Sequence, residues 1–224
     1  MSRRSPIVWC GLALVPAIGA TPPRAPAQGA VSGFANGSLV EYRVAAGAGV
    51  ERFGGPVLGL GGAVRPGTRL TISVLVQGGT LEARRAADLE RRIGEIGVDA
   101  RFSVAPWLAL AGGGAVRAVA NDVARQRWVL VRFGAEARPA FMGTPMRAVL
   151  RAGLIPVVAV GGLPAPALAL HAAAGLEYSH GPLILAASYS VERFDFPLRG
   201  GIRRLEQVSA LTCRAGLRLR GAAR

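Results

Sequence analysis

The adjacent pair Ser179 and His180 is the first place to look for chemistry, because nucleophilic hydrolysis needs a hydroxyl held by a base. Neighbours on a strand point to opposite sides, and this pair runs into Gly181-Pro182, a turn signature. It is read as a turn with a histidine in it. The other histidine, His171, sits in an alternating stretch and is read as an interior hydrogen-bonding residue rather than a base or a ligand. Asn121-Asp122 and Asp195 fall in expected loops, neither of which holds a histidine for an Asp/His hydrolytic site. Gly112-Gly113-Gly114 lacks the Lys-Ser/Thr that follows a phosphate-binding glycine loop, and no Cys/His/Asp group has metal spacing. Cys10 lies in an apolar N-terminal stretch, where Ile7-Val8-Trp9 does not make a lipobox. That leaves Cys213 without a disulfide partner. No enzyme, cofactor or metal is expected.

The charged residues offer a different chemistry. The formal charge is +14, carried by arginine with no lysine anywhere in the chain. Such a balance invites a nucleic-acid reading, but the arginines are spread at strand spacing with Glu and Asp between them. No basic run alternates with stacking aromatics. The arrangement fits interior ion pairing instead. Glu41, Arg43, Glu95, Asp99, Arg101, Arg117, Arg132, Glu136, Arg151, Glu177, Glu192, Arg214 and Arg218 are expected to form a charge network inside a barrel.

Period-two alternation is what would position them. Val40, Tyr42, Val44, Ala46, Ala48 and Val50 alternate with Glu41, Arg43 and small residues, and Leu70, Ile72, Val74 and Val76 with Arg69, Thr71, Ser73 and Gln77. Ile96, Val98, Ala100, Phe102 and Val104 alternate with Glu95, Asp99 and Arg101, and the pattern holds through Leu211, Cys213, Ala215, Leu217 and Leu219. Strands are expected at 39–51, 56–65, 69–79, 93–104, 107–118, 127–138, 147–160, 167–179, 182–194 and 206–220. Most are long enough for a tilted membrane crossing of about 9 to 11 residues. Leu75, Trp128, Leu130, Ile155 and Ile184 break the pattern by pointing inward, and Pro156 calls for a bulge.

The face bearing charge also bears glycine and alanine, as a crowded polar lumen requires, so the apolar face is assigned to lipid. The fold class is therefore all-β, a transmembrane antiparallel up-and-down barrel of about ten strands, with eight the lower alternative. Short links at 65–68, 105–106 and 179–182 alternate with longer ones at 80–92, 119–126 and 195–205. Links 52–55 and 139–146 fit that alternation less well. The segment from Thr80 to Arg92, with Arg84, Arg85, Arg91 and Arg92 beside Glu82, Asp88 and Glu90, reads as a charged external loop able to form a short helix. Tyr42, Phe102, Trp107, Phe133, Phe141 and Tyr178 would form one aromatic girdle and Phe53, Phe194 and Phe196 the other.

Residues 1–27 have the layout of a secretory signal: a basic Arg3-Arg4 start, an apolar run from Ile7 to Ala20, and Ala25-Pro26-Ala27 before Gln28. Its removal takes three arginines from the +14 and leaves +11. Residues 28–224 form the barrel domain.

This architecture resembles the small bacterial outer-membrane barrel proteins of the OmpA-like and OmpW-like kind, over residues 34–220. The resemblance implies export through the secretory pathway and residence in the outer membrane. It also implies contact with outer-membrane lipid and lipopolysaccharide, and passage through the barrel-assembly machinery. Members commonly end their last strand on an aromatic residue, whereas this chain closes with Leu217-Arg218-Leu219-Arg220 and a short tail. A structural or interaction role with a narrow polar lumen is expected, with no nucleic-acid partner and no partner specified for the external loops. A small-solute or anion channel is the alternative, and a lipid-modifying enzyme a further one, since lipid A deacylases and omptin-like proteases share this architecture.

Overall fold

A computed structural model describes residues 30–84, 90–121 and 125–219. The expected signal segment lies outside these residues. Ten strands run β1 (Ala30–Ala46), β2 (Gly49–Arg65), β3 (Leu70–Ala83), β4 (Glu90–Ala105), β5 (Leu108–Ala120), β6 (Arg125–Ala137), β7 (Met146–Val160), β8 (Leu168–His180), β9 (Leu183–Asp195) and β10 (Arg204–Leu219). Each pairs antiparallel with its sequence neighbours, and β1 pairs with β10 from Val31↔Leu219 to Ala46↔Arg204, closing the barrel. Closure satisfies the backbone donors and acceptors of every strand without an open edge.

Side chains alternate between lumen and outer wall as the pleat requires. Leu58 and Leu60 are 70% and 69% exposed on the outside, while Leu81 and Leu130 are fully buried inside. Val74, Val76, Ile96, Val98, Val129, Val131, Leu150, Leu154, Leu185 and Leu211 continue the exposed apolar wall around the barrel. A soluble monomer rarely exposes a patch of more than a few hundred Å² of this kind, and lipid is the solvent that suits it.

The first strand differs from its sequence reading. Expected at 39–51, it ends at Ala46, and a two-residue hairpin of Gly47 and Ala48 leads into β2, which starts at Gly49 rather than 56. Gly47 has φ +58°, a conformation that glycine adopts without strain. The run Ala45-Ala46-Gly47-Ala48-Gly49 preserves an apparent alternation straight through the turn because alanine and glycine suit either face. The assigned faces of β1 are reversed as a result: Val40, Tyr42 and Val44 are buried in the lumen. Glu41 and Arg43, on the opposite parity, lie on the outer side.

The bulge expected at Pro156 is present. Val131 pairs with Val157 and Phe133 with Leu154, so Ile155 and Pro156 stand together opposite Arg132. The bulge turns Ile155 into the interior, where it is 3% exposed. The segment expected as an external loop at 80–92 is shorter: residues 80–83 and 90–92 belong to β3 and β4, and Arg85 and Asp88 lie outside the described residues.

One end of the barrel, here called proximal, holds Ala30, Leu219 and the links at 66–69, 106–107, 138–145 and 181–182. The distal end holds the links at 47–48, 84–89, 121–124, 161–167 and 196–203. Distal links are the longer on the whole, with the Gly47-Ala48 hairpin as the exception.

Candidate functional site in the lumen

The distal third of the lumen is filled mainly by apolar side chains. Tyr42 and Phe53 from paired β1 and β2 meet at 6.4 Å between ring centroids, and Trp128 of β6 packs edge-on against Phe194 at 5.0 Å and Phe196 at 6.2 Å. Leu81, Leu130, Ile155, Val158 and Val160 fill the space around them. Arg91 lies over the Phe53 ring at 3.9 Å and Arg204 over Phe196 at 5.9 Å, so cations cover the aromatic faces. The expected outer girdle of Phe53, Phe194 and Phe196 is thus an internal stopper: all three are 3% exposed or less. The proximal aromatics Phe102 and Phe133 are exposed on the wall, and Trp107 and Phe141 are exposed in the proximal links. Tyr42, expected with them, is in the stopper.

Below the stopper, two arginines and two glutamates close a ring. Arg117 of β5 donates to Glu95 of β4 at 2.5 Å and to Glu192 of β9 at 2.6 Å; Arg132 of β6 donates to Glu192 at 2.9 Å and Glu95 at 3.1 Å. Register explains part of this, since Glu95 is opposite Arg117 and Gly113 opposite both Asp99 and Arg132. Glu192 reaches in from the other side of the barrel. Burying four charges costs several kcal/mol per ion unless each is met by an opposite charge in good geometry, and the ring does this.

A second node lies nearer the proximal end. The Glu136 carboxylate is fully buried and accepts from Arg101 at 2.8 Å, Arg138 at 2.6 Å and Arg151 at 2.5 Å. Arg138 also donates to Glu177 at 3.2 Å. A cavity of about 290 Å³ adjoins both networks, with Ser38, Ser188, Ser190, Thr212 and His171 among its lining residues.

Of the expected network, Glu95, Arg101, Arg117, Arg132, Glu136, Arg151, Glu177 and Glu192 are brought together in these two groups. Asp99 lines the same cavity beside Arg132, and Arg214 lines it with its guanidinium 4.4 Å over the Phe34 ring. Three residues are placed elsewhere. Glu41 pairs with Arg84 at 2.9 Å at an exposed site, Arg43 lies on the outer parity of β1, and Arg218 is exposed near the proximal mouth. The reversed face of β1 accounts for the first two. Arg138, absent from the expected network, belongs to the Glu136 node; its place on the parity of Arg132 and Glu136 is the signal that points to it. Also unforeseen is a buried contact between Tyr42 and Glu206, with Arg204 on the same carboxylate at 2.6 Å.

The residues with hydrolytic potential are not assembled. Ser179 shares the parity of Glu177 and its backbone N–H donates to Pro145 O at 3.0 Å, whereas the ring of His180 stacks on Tyr178. His171 is opposite Gly153 and Glu192, on the lumen parity of β8 at the level of the ring, and no hydroxyl or carboxylate is hydrogen-bonded to it among the described residues. Asp195 is held by Arg203, whose Nε donates at 2.9 Å, and Asp122 lies outside the described residues. Among the described residues no three His, Cys, Asp or Glu side chains gather as metal ligands.

No protein-family model matches the chain, and no curated protein matches it. Solved structures do. The outer-membrane protease OmpT from Escherichia coli aligns with a TM-score of 0.51 at 7% identity, over 87% of this chain and 98% of that one. The translocator domain of the autotransporter NalP from Neisseria meningitidis aligns with a TM-score of 0.45 at 15% identity, over 85% and 88%. Neisserial surface protein A aligns with a TM-score of 0.38 at 12% identity, over 84% and 97%. The chain has the fold of bacterial outer-membrane β-barrels.

Proposed function

We propose that this chain is an outer-membrane barrel with a structural or interaction role, closed to the passage of solutes. The observation that carries the reading is the distal stopper: Tyr42, Phe53, Trp128, Phe194 and Phe196 are at most 3% exposed across the lumen. An aqueous path past them would have to open a packed apolar layer, whose burial contributes about 1.5–3 kcal/mol per large side chain. The exposed apolar wall supports residence in lipid, with the longer distal links facing outward and the proximal turns in the periplasm. Lipopolysaccharide and an external partner would then meet the distal rim, where Arg84, Arg91 and Arg203 lie in ion pairs with Glu41, Glu51 and Asp195. The scattered placement of Ser179, His180, His171 and Asp195 supports a non-enzymatic role.

Planar-bilayer recording on the refolded chain tests this reading against a small-solute or anion channel. A folded sample, shown by heat-modifiable migration, is expected to give no steady conductance; reproducible unitary steps would establish the channel instead. Fractionation of cells tests the location, and a freely soluble periplasmic product would contradict it.

A further inference from the structure

Charge is unevenly distributed along the lumen. At the ring, Arg117 and Arg132 meet Glu95 and Glu192, with Asp99 beside Arg132, so that level has no positive excess. Nearer the proximal mouth, Arg101, Arg138 and Arg151 converge on Glu136, with Glu177 as the second acid. Arg214 joins them from β10 and makes no salt bridge among the described residues; its guanidinium rests on Phe34. Four guanidiniums therefore share two carboxylates. Towards the mouth, register places Arg65 opposite Ala30, Arg147 opposite Glu177 and Arg218 opposite Ser32, all on lumen parity and, among the described residues, without a further acid.

The stopper closes the lumen on the distal side, so these arginines line a blind cup rather than a path. We propose that the cup is a binding site for a small multivalent anion of the phosphate-bearing class, entered from the proximal mouth. Guanidinium forks match phosphate oxygens bidentately, and an apolar wall weakens the screening of their mutual repulsion, so an anion relieves what Glu136 and Glu177 leave uncompensated. The cavity of about 290 Å³ is of small-ligand size, and the hydroxyls of Ser188, Ser190 and Thr212 supply neutral donors on its wall. The cup rests on the distal closure read above and not on the interaction role, and conductance and anion binding report the two separately.

A free anion and the phosphate of a lipid headgroup offer the cup the same chemistry. The test titrates inorganic pyrophosphate into the full refolded chain in low-salt buffer by calorimetry, once in zwitterionic nanodiscs and once in discs containing phosphatidylglycerol. Saturable binding is expected in the first, and Arg214→Gln is expected to weaken it roughly tenfold through loss of a charged hydrogen-bonding partner. Arg84→Gln, at an exposed distal site, is expected to leave it unchanged. Weaker pyrophosphate binding in the phosphatidylglycerol discs supports the cup with lipid headgroup as its occupant, and unchanged binding supports it with a free anion. If Arg214→Gln does not fold, the double variant Arg65→Gln, Arg218→Gln at the mouth makes the same comparison. No binding in zwitterionic discs, wild-type affinity in the folded lumen variant, or equal loss in Arg84→Gln would overturn the proposal.

Discussion

The phenolic oxygen of Tyr42 on β1 is hydrogen-bonded to the carboxylate of Glu206 on β10, inside the barrel and across the seam that closes it. Both side chains are almost wholly buried, and Arg204 holds the other oxygen of the same carboxylate. A buried hydrogen bond to a charged group contributes about 1.5–3 kcal/mol. Tyr42→Phe is therefore expected to lower unfolding stability by about that amount, read from the urea midpoint of the folded, heat-modifiable band. Tyr189→Phe, whose side chain faces lipid, is the control and is expected to change little.

Glu136 is the acid on which the proximal node depends. Removing it leaves Arg101, Arg138 and Arg151 converging on a buried site with no carboxylate at its centre. Breaking a buried ion pair from one side costs about 3–5 kcal/mol, so Glu136→Gln is expected to fall at the top of any stability series in this protein. Urea titration in lipid discs checks this, and a midpoint close to wild type would show that water already compensates the node.

Close approach of β6 and β7 next to the bulge depends on glycine. A Cβ on Gly153 would collide with the backbone carbonyl oxygen of Phe133 and the ring of His171, whereas one on Gly33 would meet nothing within 4 Å. Gly153→Ala is expected to cost about 1–3 kcal/mol by overpacking, and Gly33→Ala to be tolerated. Comparing their unfolding midpoints separates steric need from general strand propensity.

Cys213 reports on the outer wall. It lies on the lipid parity of β10 beside Leu211 and Ala215 and is exposed. In proteoliposomes of the Cys10→Ala chain it is expected to resist a charged, water-soluble maleimide and to react with a lipid-soluble one, and unfolding should abolish the difference. Rapid labelling by the charged reagent in the folded state would place this face in water.

How much of this was legible in the sequence depended on which residues carried the alternation. Where bulky apolar side chains alternate with charge or glycine, as in Ile96-Gly97-Val98-Asp99 or Val131-Arg132-Phe133-Gly134, parity alone assigns lipid and lumen and brings the ring residues to one side. Glycine, alanine, serine and asparagine dominate Ala30–Ser38 and carry no such signal, so the first half of β1 has no legible pattern and its second half reads as the opposite face. The stopper was hidden for a different reason. Period two identifies a face but not a depth, and where the lumen is itself apolar both faces look alike, as along Val157-Val158-Ala159-Val160. Trp128, Leu130 and Ile155 stood out only as exceptions; their common destination needed the tertiary register.

Strand β6 separates lipid from a sealed lumen, and two of its positions test this directly. Phe133 is 57% exposed on the wall, and Trp128, five positions earlier, is 2% exposed in the stopper. With Trp9 and Trp107 replaced by phenylalanine in each, Phe133→Trp combined with Trp128→Phe reports on the wall and the native Trp128 on the lumen. The measurement is fluorescence quenching by brominated phospholipid in vesicles of the refolded chain. Strong quenching of the tryptophan at position 133 with little quenching of Trp128 is the predicted result. Equal quenching at both positions, or quenching of Trp128 alone, would contradict it.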